Sequence, residues 1–260
     1  VIAFGGRALG DGLPKYLNSP ETPLYQKGRH LYGLDRAKEA IRKSDFAILV
    51  EGYFDCVVPV QFGFANTVAS LGTSLTENQV RILGRYTRNV VINFDPDSAG
   101  MAAALRSIDL FLEQGFRVNV LSLPPGFDPD TFVRAEGADV YKQRLKTSRP
   151  FVEFALDRFI GQKRDPYSPK GKRETVSEIL PYLLKVPDRI ERAEDVSLVA
   201  SRLRLDEALI MSEMRRATGR VSPRSLPTQN PSLAGLVLAE RTLLLAILDE
   251  HWVKGALPLL

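Results

Sequence analysis

The chain has 260 residues, 44% of them hydrophobic and 25% charged, which is the composition of a globular protein with one large domain or two to three small ones. Its formal charge of +4, from 35 Lys and Arg against 31 Asp and Glu, permits nucleic-acid binding without demanding it. A single cysteine, Cys56, excludes an internal disulfide and a Cys-rich zinc site within these residues and fits a reducing cytoplasm; no apolar stretch is long and uncharged enough to span a membrane.

In chain order, residues 1–43 read as a basic, turn-rich segment with a Gly5-Gly6 turn, a loop at Leu17-Asn18-Ser19-Pro20 and a helix from Leu34 to Lys43. Residues 44–150 alternate strand and helix, the signature of a parallel, right-handed α/β unit. Within it, Ser74 and Glu77 have the spacing of a capping box that opens a helix running to Arg85. The stretch after Gly100 reads as a helix stopped by Gly115. Pro59 falls inside the helix expected after Asp55, where it removes a backbone hydrogen bond, so that helix is expected to kink or to begin later. Residues 151–218 lack strand alternation and read as helices, among them Glu174–Leu184, Asp188–Leu203 and Asp206–Ala217. Residues 219–231, with Ser222, Pro223, Pro227 and Pro231, read as a linker, and 232–257 read as one more apolar helix. The start at Val1, without Met, and the apolar end at Pro258-Leu259-Leu260 read as those of a fragment of a longer protein.

Three apolar strands each run into acids. Phe46–Val50 leads into Glu51-Gly52-Tyr53-Phe54-Asp55, Val90–Phe94 into Asp95-Pro96-Asp97, and Val118–Leu123, through a Pro-Pro-Gly turn, into Asp128-Pro129-Asp130. Unbroken apolar strands belong to a parallel sheet covered on both faces, and such sheets bind ligands beyond the carboxyl ends of their strands. Carboxylates gathered there repel one another and call for a cation; hard oxygen donors with room for water and phosphate suit magnesium, with manganese as the alternative.

Each motif also has an ordinary reading. Asp95-x-Asp97 places two carboxylates on one side of an extended segment, yet Asp and Pro are common turn residues. Glu51 alone reads as a solvated strand end, and Asp55 as a partner of a helix dipole. For Asp130, capping and metal binding stand level; for Asp128, metal binding stands slightly ahead.

The ordered set of one acid, then Asp-x-Asp, then Asp-x-Asp, each after a strand, resembles the Toprim domain. The flanking segments narrow the resemblance. Phe4-Gly5-Gly6-Arg7, Pro14-Lys15-Tyr16-Leu17-Asn18-Ser19-Pro20-Glu21-Thr22, Lys27-Gly28-Arg29-His30-Leu31-Tyr32-Gly33 and Ala69-Ser70-Leu71-Gly72-Thr73-Ser74-Leu75-Thr76 are similar to bacterial primases of the DnaG type. The resemblance covers about residues 1–150 closely and 151–218 weakly. It implies a Toprim-type parallel sheet flanked by helices, preceded by the end of a small basic α+β subdomain (1–43) and followed by a helical subdomain (151–218). It also implies the start of a helicase-binding domain at 232–260.

The resemblance further implies chemistry: short RNA primers made on single-stranded DNA from nucleoside triphosphates, in the bacterial cytoplasm at the replication fork. Glu51, Asp95 and Asp97 would be catalytic and would hold magnesium, with Asp128 and Asp130 as further ligands. Arg7, Lys15, Asn18 and Lys27 would line the facing wall and hold nucleotide or template phosphates. Arg29, Arg36, Lys38, Arg42 and Lys43 read as a solvated face. Tyr16 suits base stacking or packing, and Tyr32 packing. The family's zinc-binding domain has no counterpart within these residues. Two alternatives remain: another Toprim enzyme such as a nuclease or topoisomerase, or a non-catalytic module that binds metal and a replicative helicase.

Overall fold

A computed structural model describes residues 1–7, 16–70, 75–93 and 98–220. Asp95 and Asp97, Lys15, Ser74, residues 221–231 of the expected linker and the final helix expected from 232 lie outside these described residues; Gly219 and Arg220, expected in the linker, instead end the last described helix. Val1–Met214 form one compact unit; the second unit, Arg215–Leu260, is described only where the last helix ends.

The chain opens with an antiparallel pair, β1 (Gly5–Arg7) and β2 (Tyr16–Asn18), in which Gly5 faces Asn18 and Arg7 faces Tyr16. Ser19 ties the pair shut: its hydroxyl accepts from the Phe4 amide at 2.9 Å. A short 3-10 turn, Lys27–Arg29, precedes α1 (Leu34–Ser44), whose apolar stripe buries Ala37 and Ile41. Gly33 begins that helix at φ +80, a conformation that favours glycine.

The central sheet has five strands in the order β4-β3-β5-β6-β7. β3 (Ala47–Val50), β5 (Asn89–Ile92) and β6 (Arg117–Val120) are parallel, as expected of the three strands that run into acids, and β4 (Thr67–Ala69) is a further parallel strand that the sequence reading missed. β7 (Arg149–Pro150) is a two-residue antiparallel edge that carries no apolar run. All four residues of β3 are fully buried, so both faces of the sheet are covered there. Leu49, Val90, Ile92, Val118 and Val120 face one large core, and Ile48, Val50 and Val91 face two smaller clusters on the other side.

The helices between strands are α2 (Tyr53–Gln61), α3 (Glu77–Leu83), α4 (Ser98–Glu113) and α5 (Pro129–Lys146). Two expectations need correction. α2 begins at Tyr53 and runs through Pro59, which is buried in its last turn; the lost hydrogen bond there is a single one, close to where the helix ends. The capping box of α3 is built by Thr76, which accepts from the Gln79 amide at 3.3 Å, while Gln79 Oε1 accepts from the Thr76 amide at 3.0 Å. Glu77 is the first helical residue. α4 is followed by Gly115 at φ +74, and α5 breaks at Gly137, where φ is +84 and ψ is 169.

Four further helices follow: α6 (Phe151–Gly161), α7 (Pro169–Lys185), α8 (Arg189–Leu203) and α9 (Glu207–Arg220). They share the large core with the sheet through Phe151, Leu156, Ile179, Leu183, Val199, Leu203 and Ile210. Lys185 of α7 reaches Asp109 at 2.8 Å and Glu113 at 3.0 Å on α4. Arg149 and Arg202 both grip Asp157, at 2.7 and 2.8 Å. These partly exposed pairs fix orientation and contribute less than about 1 kcal/mol each. Among the described residues no helix is long and apolar enough to cross a membrane.

Candidate metal and nucleotide site

β3 and β5 are neighbours in parallel register, with Leu49 opposite Ile92, and the Asn93 amide donates to the Leu49 carbonyl at 2.9 Å. The two strands therefore end side by side. Glu51 follows β3 by one residue and is half-buried. Asp95 and Asp97 follow Asn93 in sequence, but both lie outside the described residues.

Asn93 is fully buried. Its Nδ2 donates to the Tyr141 hydroxyl at 2.8 Å, while its Oδ1 has no donor among the described residues. Burial raises the Tyr141 hydroxyl above its ordinary pKa; the Asn93 bond opposes that shift and the charge of Asp55 adds to it. The phenol thus stays neutral and serves as a fixed acceptor beneath the end of β5.

Asp55 has a larger structural part than its reading as a dipole partner gave it. Its Oδ2 accepts from the Gly52 amide at 3.1 Å, and its Oδ1 from the Asp130 amide at 3.5 Å. One carboxylate thus holds the turn that carries Glu51 and meets the first turn of α5. The signal for the first contact is the three-residue spacing from Gly52 to Asp55, the reciprocal half of a capping box. The second contact joins residues 75 apart, and no local pattern announces it.

The third acid pair divides its labour. Asp128 is the N-cap of α5: its Oδ1 accepts from the Thr131 amide at 2.7 Å and the Thr131 hydroxyl at 2.6 Å. Asp130, in the first turn, pairs with Arg134 one turn on. Capping therefore falls to Asp128, and both carboxylates already have protein partners.

The β1–β2 pair lies against the start of α2. The Arg7 guanidinium sits 5.2 Å from the centre of the Phe54 ring, and the Tyr53 hydroxyl donates to Asn18 Oδ1. Gly5 makes this approach possible, because a Cβ there would overlap the Tyr53 phenol. Arg7 and Asn18 thus adjoin the helix that follows Glu51. The backbone at Lys27 is tied elsewhere: its carbonyl accepts from Gln79 Nε2 at 3.1 Å, at the start of α3, and its side chain is in no ion pair among the described residues. Gln79 also donates to the His30 carbonyl at 2.7 Å, a buried link that the sequence reading missed. Tyr32 packs edge-on against Tyr53 at 4.9 Å, as expected of a packed aromatic. Arg29, Arg36, Lys38, Arg42 and Lys43 are exposed.

All the candidate ligands offer carboxylate oxygens, which fits a hard divalent cation. Among the described residues no three His, Cys, Asp or Glu side chains converge closely enough to hold one. A metal centre here would need Asp95 and Asp97 beside Glu51.

A covered parallel sheet with acids following its adjacent strand ends is the arrangement of a Toprim-like domain, and residues 48–133 match that family. Residues 1–38 match the N-terminal domain of the DNA primase catalytic core, and residues 152–208, which take in α7, α8 and all of α6 but its first residue, match the DnaB-helicase binding domain of primase. The DNA primase of Escherichia coli K12 is 36% identical over 98% of this chain and 46% of its own length. A DNA primase domain from Pseudomonas aeruginosa superposes with a TM-score of 0.72 at 37% identity, covering 83% of this chain and 68% of that one. A DnaG primase catalytic domain solved bound to single-stranded DNA gives 0.69 at 37% identity, covering 77% of this chain and 66% of that one. The chain belongs to the bacterial DNA primase family of the DnaG type. It spans less than half of the length of the curated relatives it matches.

Proposed function

We propose that this chain is the part of a primase catalytic core that copies single-stranded DNA into short RNA from nucleoside triphosphates. The observation that carries the proposal is the parallel pairing of β3 with β5, which ends the two acid-bearing strands side by side. The match of residues 1–38 to the primase core supports it over another Toprim enzyme, because a nuclease or topoisomerase would not explain that segment. The solved relative bound to single-stranded DNA supports a DNA template, and the match at 152–208 supports contact with a replicative helicase.

In this reading Glu51, Asp95 and Asp97 hold magnesium or manganese, with Asp128 and Asp130 contributing if they give up their present partners. The metal, when bound, supplies positive charge for the triphosphate oxygens and the departing pyrophosphate. The protein's own part is to position. Asp55 fixes the Gly52 turn beneath Glu51, Asn93 and Tyr141 hold the end of β5, and Arg7, Lys15, Asn18 and Lys27 receive phosphates of nucleotide or template.

The test is incorporation of labelled ribonucleotides on single-stranded DNA, with Asp95→Asn in parallel. Short, template-dependent RNA from the parent and none from a folded Asp95→Asn variant is expected. Equal incorporation by both would overturn the assignment of the acids. Metal binding with no incorporation, even in a longer protein that carries this chain, would favour a non-catalytic docking module.

A further inference from the structure

The opposite pole of the sheet holds a hollow of about 960 Å³ that the polymerase reading does not use. It lies at the amino ends of β5 and β6, where Asn89 faces Arg117, whereas the acids follow the carboxyl ends beyond Ile92 and Val120. Its lining runs along the strands from Asn89 to Val91 and from Arg117 to Asn119, short of Ile92 and Val120, after which the acids follow. The sequence carries a mark of this hollow. Asn89, Val91, Arg117 and Asn119 share one face of the sheet by alternation, and three of the four are polar in inner strands that should be apolar throughout. Gly137 breaks α5, and only residues after the break, from Ala138 to Lys146, line the hollow from that helix.

The lining has three parts. Phe46, Phe62 and Phe64 supply aromatic surface, and Phe62 is 41% exposed. Asn119 brings an amide into the hollow; Asn is unfavourable in a strand, and its side-chain hydrogen bond to the Ser148 hydroxyl is long at 3.3 Å. Lys142 and Lys146, one turn apart on α5, are exposed and in no ion pair among the described residues. The acids nearby are already engaged or balanced. Glu191 pairs with Arg117 at 3.1 Å, Asp45 accepts from the Thr87 hydroxyl at 3.1 Å, and Asp139 stands on the same helix face as the two lysines.

We propose that this hollow is a nucleoside-phosphate site, separate from the acids that follow β3 and β5. Aromatic surface suits a flat ring, the half-buried amide of Asn119 suits a hydrogen-bonding ring edge, and the lysines suit an anionic tail. Inorganic phosphate would leave the aromatic surface unused, and a lipid would leave the amide unsatisfied. The inference does not depend on the chain's being a polymerase.

The test is titration of the chain with ATP in the presence of a metal chelator, which silences metal-dependent binding at the acids. Parent and Glu51→Gln proteins should bind alike. The exposed double substitution Lys142→Glu/Lys146→Glu should weaken binding tenfold or more, Phe62→Ala should weaken it several-fold, and adenosine and tripolyphosphate should each bind at least tenfold more weakly than ATP. A photoreactive azido-ATP should label residues 138–148 or 62–64. Unchanged affinity in a folded double variant, labelling confined to residues 1–55, or no metal-free ATP binding by the parent would overturn the proposal. Ribonucleotide incorporation, measured separately, reports on the acids and not on this hollow.

Discussion

The Asp55 carboxylate accepts the backbone N–H of Asp130 at 3.5 Å and, through its other oxygen, that of Gly52 at 3.1 Å, joining the turn after β3 to the first turn of α5. An acid that looks like a candidate ligand in sequence thus fixes the backbone from which other acids project. Asp55→Ala removes both acceptors and should cost about 1–2 kcal/mol of stability in urea unfolding, whereas Asp55→Asn, which keeps one carbonyl oxygen in place, should cost less than half of that. Equal losses for the two variants would show that the charge, and not the acceptor geometry, is what matters.

Gly5 and Tyr53 form a second linkage. A methyl group at position 5 collides with the phenol, so Gly5→Ala should displace Tyr53 and break its bond to Asn18. Amide hydrogen exchange in β1 and β2 should accelerate at least tenfold in Gly5→Ala and only modestly in Tyr53→Phe, which keeps the ring. The two variants separate lost packing from a lost hydrogen bond.

Asp195 on α8 supplies a pH dependence. Burial, and then the neighbouring charges of Glu191 and Glu194, push its pKa up from 3.8 to about 7. The folded protein therefore holds a proton there that the unfolded chain releases between these values. The associated stability is complete below the unfolded value and is lost as pH rises through about 7. Asp195→Asn should match the parent at pH 4, unfold later than the parent at pH 8, and flatten the slope between. A parallel shift at both pH values would contradict this.

Cys56 should be chemically silent. It is 2% exposed, and burial, with the charge of Asp55 second, pushes its thiol up to about 12, so about one molecule in 10⁴ carries a thiolate at pH 8. Iodoacetamide labelling should track unfolding in urea; fast labelling of the native protein would show that α2 opens locally.

The strand ends were legible because burial on both faces of a parallel sheet leaves runs such as Ala47–Val50 without a polar residue. The same logic marks Asn89, Arg117 and Asn119 as anomalies, and they line the hollow at the other pole. Local cap chemistry was legible in kind but not in assignment: Thr76 caps α3 where Ser74 was expected, and Asp128 rather than Asp130 caps α5. Neighbouring hydroxyls and acids offer nearly equal spacing, and tertiary packing selects among them. What could not be read were links across long separations, including Gln79 to Lys27 and His30, Asn93 to Tyr141, and Tyr53 to Asn18. None has a periodic signature, since each depends on which strands become neighbours.

The central claim is that acids following two adjacent strands hold one divalent cation. Manganese titration followed by electron paramagnetic resonance, without nucleotide, tests it most directly. Parent protein should take up manganese, and Glu51→Gln and Asp95→Asn should each weaken that uptake tenfold or more while far-UV circular dichroism stays unchanged. Parent-like manganese affinity in both folded variants would contradict the account.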